Sequence, residues 1–219
     1  MLKVSCFHFN FIQVNTYLLF DETKEAVIVD PGNCEEKEDQ ELADFVQKNQ
    51  LKVKYIINTH PHIDHIIGNG FCHRHFQAPI ILHQEGLEIY HQAFAYGVAF
   101  NMKCDDENFP PIDLFINEGD TFQFGNQTLE TLYTPGHADG SISLVLPEAS
   151  CVFVGDVLFE NSIGRSDLPT GNFRTLIENI HKKILVLPDH YTIYPGHGPE
   201  TTIGKEKNNN PYIQQKIYH

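Results

Sequence analysis

Three histidines and an aspartate crowd into six positions, His60-Pro61-His62-Ile63-Asp64-His65. Imidazole nitrogen and carboxylate oxygen without thiolate suit zinc, iron or manganese. His60 and His62 are two apart, and in an extended loop side chains at that spacing project the same way. Asp64 and His65 are adjacent and must diverge, so the segment offers two binding directions. Three more candidates each follow a β-rich run: Pro135-Gly136-His137, Gly155-Asp156 and Pro195-Gly196-His197-Gly198. Alone, each reads as a turn. Gathered at one edge of a sheet around one crevice, they complete a set of five histidines and two aspartates. Seven ligands are too many for one tetrahedral ion. They suit two ions that share a carboxylate, with water or hydroxide between them. Ions about 3.5–4 Å apart generate a nucleophile at neutral pH and stabilise a developing oxyanion, which is hydrolase chemistry without a Ser or Cys nucleophile.

The elements that must position these residues are mostly strands. Lys3 to Ile12, Asn15 to Phe20 and Ala26 to Val29 are β-rich, with a turn at residues 21–24. Val53 to Asn58 reads as a buried strand that feeds a loop from Thr59 to His65. Pro79 to Leu82 is a short strand. Thr121 to Phe124 and Gln127 to Tyr133 form a hairpin about Gly125-Asn126. Ser141 to Leu146 pairs with Cys151 to Val154, and Tyr191 to Tyr194 is a last strand. Apolar spacing predicts helices over Glu35 to Gln50, Ile66 to Phe76, Glu85 to Phe100 and Phe173 to Leu187, with a loop from Asn101 to Asp113. The pattern fits an α+β fold in which two mixed sheets pack together with helices outside.

The chain has 219 residues, and no linker or repeat divides it, so a single domain over 1–219 is expected. A net charge of -14 makes nucleic acid and anionic membrane surfaces poor partners. No apolar stretch is long enough to span a bilayer, and no signal peptide is evident. Five widely spaced cysteines without a CxxC read as reduced, buried thiols in a cytoplasmic protein. Of the 13 histidines, His8, His73, His75, His83, His91, His181, His190 and His219 have no motif context and read as ordinary surface or core residues. Asp30, in an Asp-Pro-Gly turn, is a candidate to accept a hydrogen bond from a ligand imidazole.

The segment Thr59 to His65, with Pro135-Gly136-His137, Gly155-Asp156, Pro195-Gly196-His197-Gly198 and the early Val27 to Gly32, resembles the metallo-β-lactamase superfamily over essentially the whole chain. The resemblance implies that family's four-layer αββα sandwich. It also implies roles: His60, His62 and His137 for a first metal, Asp64, His65 and His197 for a second, and Asp156 as the bridge. The branch it looks most like is glyoxalase II, also called hydroxyacylglutathione hydrolase, through its short members. Leu158 to Pro169 and Gly198 to Gly204 carry that likeness.

There are departures from that branch. Full-length glyoxalase II continues into a helical domain that helps bind glutathione, whereas this sequence ends at His219. Gly198-Pro199 stand where that family has a tyrosine after its last metal histidine. Arg165 stands at a family lysine and Asp167 at a family tyrosine. Arg165 remains able to bind a substrate carboxylate or to pair with Asp167. The expected activity is hydrolysis of a small-molecule thioester at two divalent ions, zinc foremost with iron or manganese also fitting, with Asp64 and Asp156 as the catalytic carboxylates. The alternatives are a persulfide dioxygenase-like protein, whose relatives use one iron held by two His and an Asp, and a catalytically silent member of the fold. Residues 85–100 carry Tyr90, Phe94, Tyr96 and Phe100, which either pack a helix on the core or overhang the crevice.

Overall fold

The computed structural model describes residues 1–214. His219 lies outside them. Six strands, β1 (Lys3–Phe9), β2 (Val14–Phe20), β3 (Glu25–Val29), β4 (Lys52–Ile57), β5 (Ile80–His83) and β6 (Leu114–Ile116), lie in sequence order in one sheet. The first three are antiparallel neighbours, and β3 through β6 run parallel. Parallel neighbours need crossovers. Helix α1 (Glu36–Lys48) spans the first, α2 (Ile63–Ile66) and α3 (Asn69–Phe76) the second, and α4 (Leu87–His91) with α5 (Ala93–Ala99) the third.

The second sheet holds β7 (Thr121–Phe124), β8 (Gln127–Tyr133), β9 (Ile142–Leu146), β10 (Cys151–Gly155), β13 (Thr192–Pro195) and β14 (Thr201–Thr202), with β13 inserted between β10 and β14. The small hairpin of β11 (Leu158–Phe159) and β12 (Ser162–Ile163) leaves the sheet after β10. Helix α6 (Phe173–Asn179) and a π-type turn (Ile180–Ile184) make the crossover to β13. Helices α7 (Ile203–Asn209) and α8 (Pro211–Gln214) follow.

Strand alternation builds the layers. On β2, β3 and β4, Leu18, Ile28 and Ile56 face outward onto Leu42 and Val46 of α1 and Cys72 of α3. Leu19, Val27 and Ile57 face inward and meet Leu129, Leu144 and Phe153 of the second sheet. That sheet's outer face, Val145, Val152 and Val154, packs on Leu176, Ile177 and Ile180. A period of two along each strand therefore fills three apolar interlayers, giving helix, sheet, sheet, helix.

Several expected bounds differ. The first strand stops at Phe9 rather than Ile12, because Asn10 and Gln13 take left-handed backbone in a turn. The loop after β4 becomes helical at Ile63, so Asp64 and His65 sit on a helical turn. The helix expected over residues 66–76 breaks at Gly68. A Cβ there would lie 2.2 Å from Asn33 Oδ1 and 2.7 Å from the Pro31 carbonyl, so the backbone approach admits only glycine. The helix expected over residues 85–100 is interrupted at Gln92. The last expected helix loosens into the π-type turn at Ile180. Strand β6, the β11–β12 hairpin, α7 and α8 were not anticipated. They are short, and a three-residue strand such as Leu114–Ile116 is below the length at which periodicity registers. All five cysteines are free, but only Cys72 and Cys151 are buried, and Cys6 is exposed. Among the described residues, no helix is long and apolar enough to cross a membrane.

Candidate metal centre

Every ligand candidate lies just past the C-terminal end of a strand. His60 and His62 follow β4, and α2 carries Asp64 and His65. His137 follows β8, Asp156 follows β10 and His197 follows β13. The two sheets thus bring the ends of one strand from the first and three from the second to a common crevice.

The seven side chains sort into two clusters. His60 Nε2 lies 3.1 Å from His62 Nδ1, which is 2.9 Å from His137 Nε2. Asp64 Oδ2 lies 3.1 Å from His197 Nε2 and 3.5 Å from His65 Nε2, and the two imidazoles are 3.3 Å apart. Asp156 stands between the clusters. Its Oδ1 faces His65 at 3.5 Å, while its Oδ2 faces His137 at 3.6 Å and His197 at 3.7 Å. In each triad the ligand atoms lie within 4.8 Å of one another, close enough to hold one ion.

Asp156 Oδ1 is buried and has no hydrogen-bond partner. An orphaned carboxylate oxygen is costly in a protein interior unless something outside the chain satisfies it. A shared cation does so, and the nitrogen and oxygen donors around it suit zinc, iron or manganese. Gly196 makes room for this arrangement. A Cβ on it would lie 2.2 Å from Asp156 Oδ1 and 2.6 Å from His65 Cε1.

The electrostatics of the clusters differ. Burial, reinforced by the neighbouring imidazoles, holds His60 well below its ordinary pKa and His62 at about 3. His137 is also lowered, mainly by burial. These rings are neutral, with lone pairs available for a metal. Burial opposes charge on His65 as well, but Asp64, Asp156 and Asp30 outweigh it and raise that pKa well above normal. The second cluster therefore has surplus negative charge that a cation balances. Asp156 stays ionised despite its burial, because His65 and the other imidazoles favour the carboxylate.

Asp30 orients both clusters. Its Oδ2 accepts from His65 Nδ1 at 2.9 Å and from the Thr59 hydroxyl at 2.6 Å, and its Oδ1 accepts from the Thr59 amide at 2.7 Å. His60 Nδ1 in turn lies 3.1 Å from Thr59 Oγ1. These bonds turn Nε2 of both His60 and His65 toward the centre. Asp30 has left-handed backbone (φ 53°), held by Thr16, whose hydroxyl donates to the Asp30 carbonyl at 2.6 Å. His137 Nδ1 is fixed by the Arg165 carbonyl at 2.7 Å.

Asn15 was not singled out in the sequence. From β2 of the first sheet, its buried amide donates to the Pro195 carbonyl at 2.9 Å and the Gly198 carbonyl at 2.8 Å. Its backbone N–H donates to the Gly196 carbonyl at 2.7 Å. One residue thus ties down the turn that carries His197. His8 Nδ1, at 2.8 Å from Asn15 Oδ1, fixes the orientation of the amide. The available signal was a polar Asn-Thr pair inside a fully buried strand.

A cavity of about 240 Å³ opens beside the clusters. Of the four aromatics in residues 85–100, Tyr96 and Phe100 line it. Tyr90 is instead buried against Ile63 and Ile66, with its hydroxyl on the Pro110 carbonyl, and Phe94 is exposed. Arg165 lines the cavity too, but its guanidinium is paired with Asp167 through two bonds of 2.9 Å.

The family model described as the metallo-beta-lactamase superfamily matches residues 9–197. The chain belongs to this superfamily. It is 35% identical over 202 residues to the probable metallo-hydrolase YqgX of Bacillus subtilis, covering 92% of this chain and 93% of that one. It is 34% identical over 204 residues to hydroxyacylglutathione hydrolase GloC of Haemophilus influenzae, covering 93% and 94%. It is also 34% identical over 205 residues to the mitochondrial persulfide dioxygenase ETHE1 of Mus musculus, covering 90% of this chain and 70% of that one. Among solved structures, BLEG-1 B3 metallo-beta-lactamase superposes with a TM-score of 0.86 at 33% identity, covering 98% of this chain and all (100%) of that one. The di-iron-bound form of TTHA1623 gives 0.84 at 32% identity, with 95% and 100% coverage. The αββα layering expected from the resemblance is the superfamily's fold.

Proposed function

We propose that this chain is a dinuclear metallohydrolase that cleaves small-molecule thioesters in the manner of glyoxalase II. His60, His62 and His137 would hold one divalent ion, Asp64, His65 and His197 the other, and Asp156 would serve both. The observation that carries the reading is the complete second triad, with the orphaned Asp156 oxygen set between it and the first. When bound, such a metal pair supplies a hydroxide at neutral pH and stabilises negative charge on a carbonyl oxygen. Asp30 and Thr59 keep the imidazoles in the tautomer that points Nε2 inward. Asp64 and Asp156 supply the negative charge that retains the ions. Tyr96 and Phe100 line one side of the crevice and offer an apolar surface to the acyl group. A thiol leaving group departs readily because its pKa lies far below that of an alcohol. The relative named hydroxyacylglutathione hydrolase supports a thioester. A net charge of -14 argues against a nucleic-acid substrate.

The ETHE1 relative keeps a second reading in play, that of a mononuclear iron dioxygenase acting on persulfides. Metal analysis of protein purified without added metal, paired with a thioester panel and oxygen uptake on a persulfide, separates the two. Two ions per chain with thioester turnover is the expected result. One iron per chain with persulfide-dependent oxygen uptake overturns it.

A further inference from the structure

The crevice wall is apolar. Ile63, Ile89, Tyr96, Phe100, Leu168 and Pro169 line it, and its mouth is open at Phe100, which is 54% exposed. Among the described residues lining it, Arg165 is the only lysine or arginine. That guanidinium is already engaged, since Nε and one terminal nitrogen each donate to a carboxylate oxygen of Asp167 at 2.9 Å. Asp167 takes the Nε–Nη2 edge of the guanidinium, so a substrate carboxylate would be left the Nη1–Nη2 edge of a group whose charge Asp167 already offsets. An incoming carboxylate on that edge would meet the negative charge of Asp167 across the same guanidinium.

Resting on the thioester reading above, we propose that Asp167 neutralises Arg165 from within the chain. The crevice thereby selects thioesters whose acyl group and thiol carrier are apolar and uncharged over those bearing carboxylates, such as glutathione thioesters. Asp167 acts through Arg165 and is a specificity-determining residue, not a catalytic one. Both side chains are exposed, so the pair is weak and its removal shifts affinity by only about two- to fivefold.

The test is binding of two inert thioethers to the metal-loaded protein by calorimetry. S-hexyl-N-acetylcysteamine and S-hexylglutathione share an alkyl chain and differ in the charge of the carrier. The parent is expected to bind the N-acetylcysteamine thioether at least as tightly as the glutathione one. Asp167→Asn, at an exposed position outside the core, should shift the ratio of the two affinities about two- to fivefold toward glutathione. The double variant Asp167→Asn with Arg165→Gln should reverse that shift. A parent that prefers S-hexylglutathione tenfold or more overturns the proposal. So does an Asp167→Asn protein with an unmoved ratio, or a double variant that keeps the gain. The readout is binding, so a protein that shows this preference but hydrolyses no thioester defeats the hydrolase reading and leaves the selectivity standing.

Discussion

Asp30 accepts from His65, from the Thr59 hydroxyl and from the Thr59 amide, and through Thr59 it reaches His60. One carboxylate therefore sets the rings of both metal clusters. Asp30→Asn suits the left-handed backbone, which asparagine tolerates, but leaves a single acceptor oxygen for three donors. Metal affinity should fall about 10–100-fold, measured by equilibrium dialysis against a chelator buffer. An unchanged affinity would mean that packing alone orients the imidazoles. The two proposed catalytic carboxylates separate by position. Asp156→Ala should weaken both sites, because its oxygens face both clusters. Asp64→Asn should deplete only the second ion and reduce thioester hydrolysis of the order of 10²-fold or more. Full turnover in Asp64→Asn, with one ion retained, would show that the first cluster suffices.

Among the elements, β2 contributes to the site more than its apolar sequence suggests. Asn15 reaches from the first sheet to the Pro195, Gly196 and Gly198 carbonyls of the second. Asn15→Leu keeps the volume and removes the amide, so the Gly198 carbonyl loses its donor. The Pro195 carbonyl keeps the Tyr17 hydroxyl and the Gly196 carbonyl keeps the backbone N–H, so the cost is about 1–3 kcal/mol. Because Gly198 follows His197 directly, the second ion should be lost before the first. A variant with a lowered melting temperature and both ions intact would reduce Asn15 to a purely structural tie. The contrast between Asn15 and the ligands shows what the sequence makes legible. His60 to His65 cluster within one turn of chain, and His137, Asp156 and His197 follow Gly or Pro-Gly at strand ends, so residue type and local context sufficed. Most strands are short β-rich or apolar runs bounded by turn residues, and that was enough to place them. Asn15 and Thr59 act through contacts between residues far apart in sequence, and Asn15 reaches across 180 positions to Pro195. The break between α2 and α3 at Gly68 also depends on a distant neighbour, Asn33, and local periodicity carries no trace of it.

Across the whole molecule, the two sheets are tied at the end opposite the strand termini that carry the ligands. Asp21, in the turn between β2 and β3, accepts from the Asn126 amide at 2.7 Å in the β7–β8 turn of the other sheet, and from the Thr23 amide at 2.9 Å. Glu25 accepts alongside it from the Gly125 amide at 2.9 Å. Burial of Asp21 raises its pKa, but the donors from Thr23, Asn126 and Gln127 outweigh it and bring the carboxyl from 3.8 down to about 2. A depressed carboxyl pKa contributes stability that is fully present above about pH 4 and is lost as pH falls toward 2. Asp21 is only 1% exposed, yet it sits in a turn at the edge of the molecule where solvent screens it. The contribution is accordingly about 1–2 kcal/mol rather than the full value of the shift. Asp21→Asn should lose that amount at pH 7 in urea denaturation. Asparagine has the single acceptor of a protonated carboxyl, so variant and parent should converge as pH approaches 2. Comparing variant with parent at each pH cancels the acid destabilisation common to both. A gap that persists undiminished at pH 2.5 would assign the tie to side-chain shape rather than to charge on the bridging carboxylate.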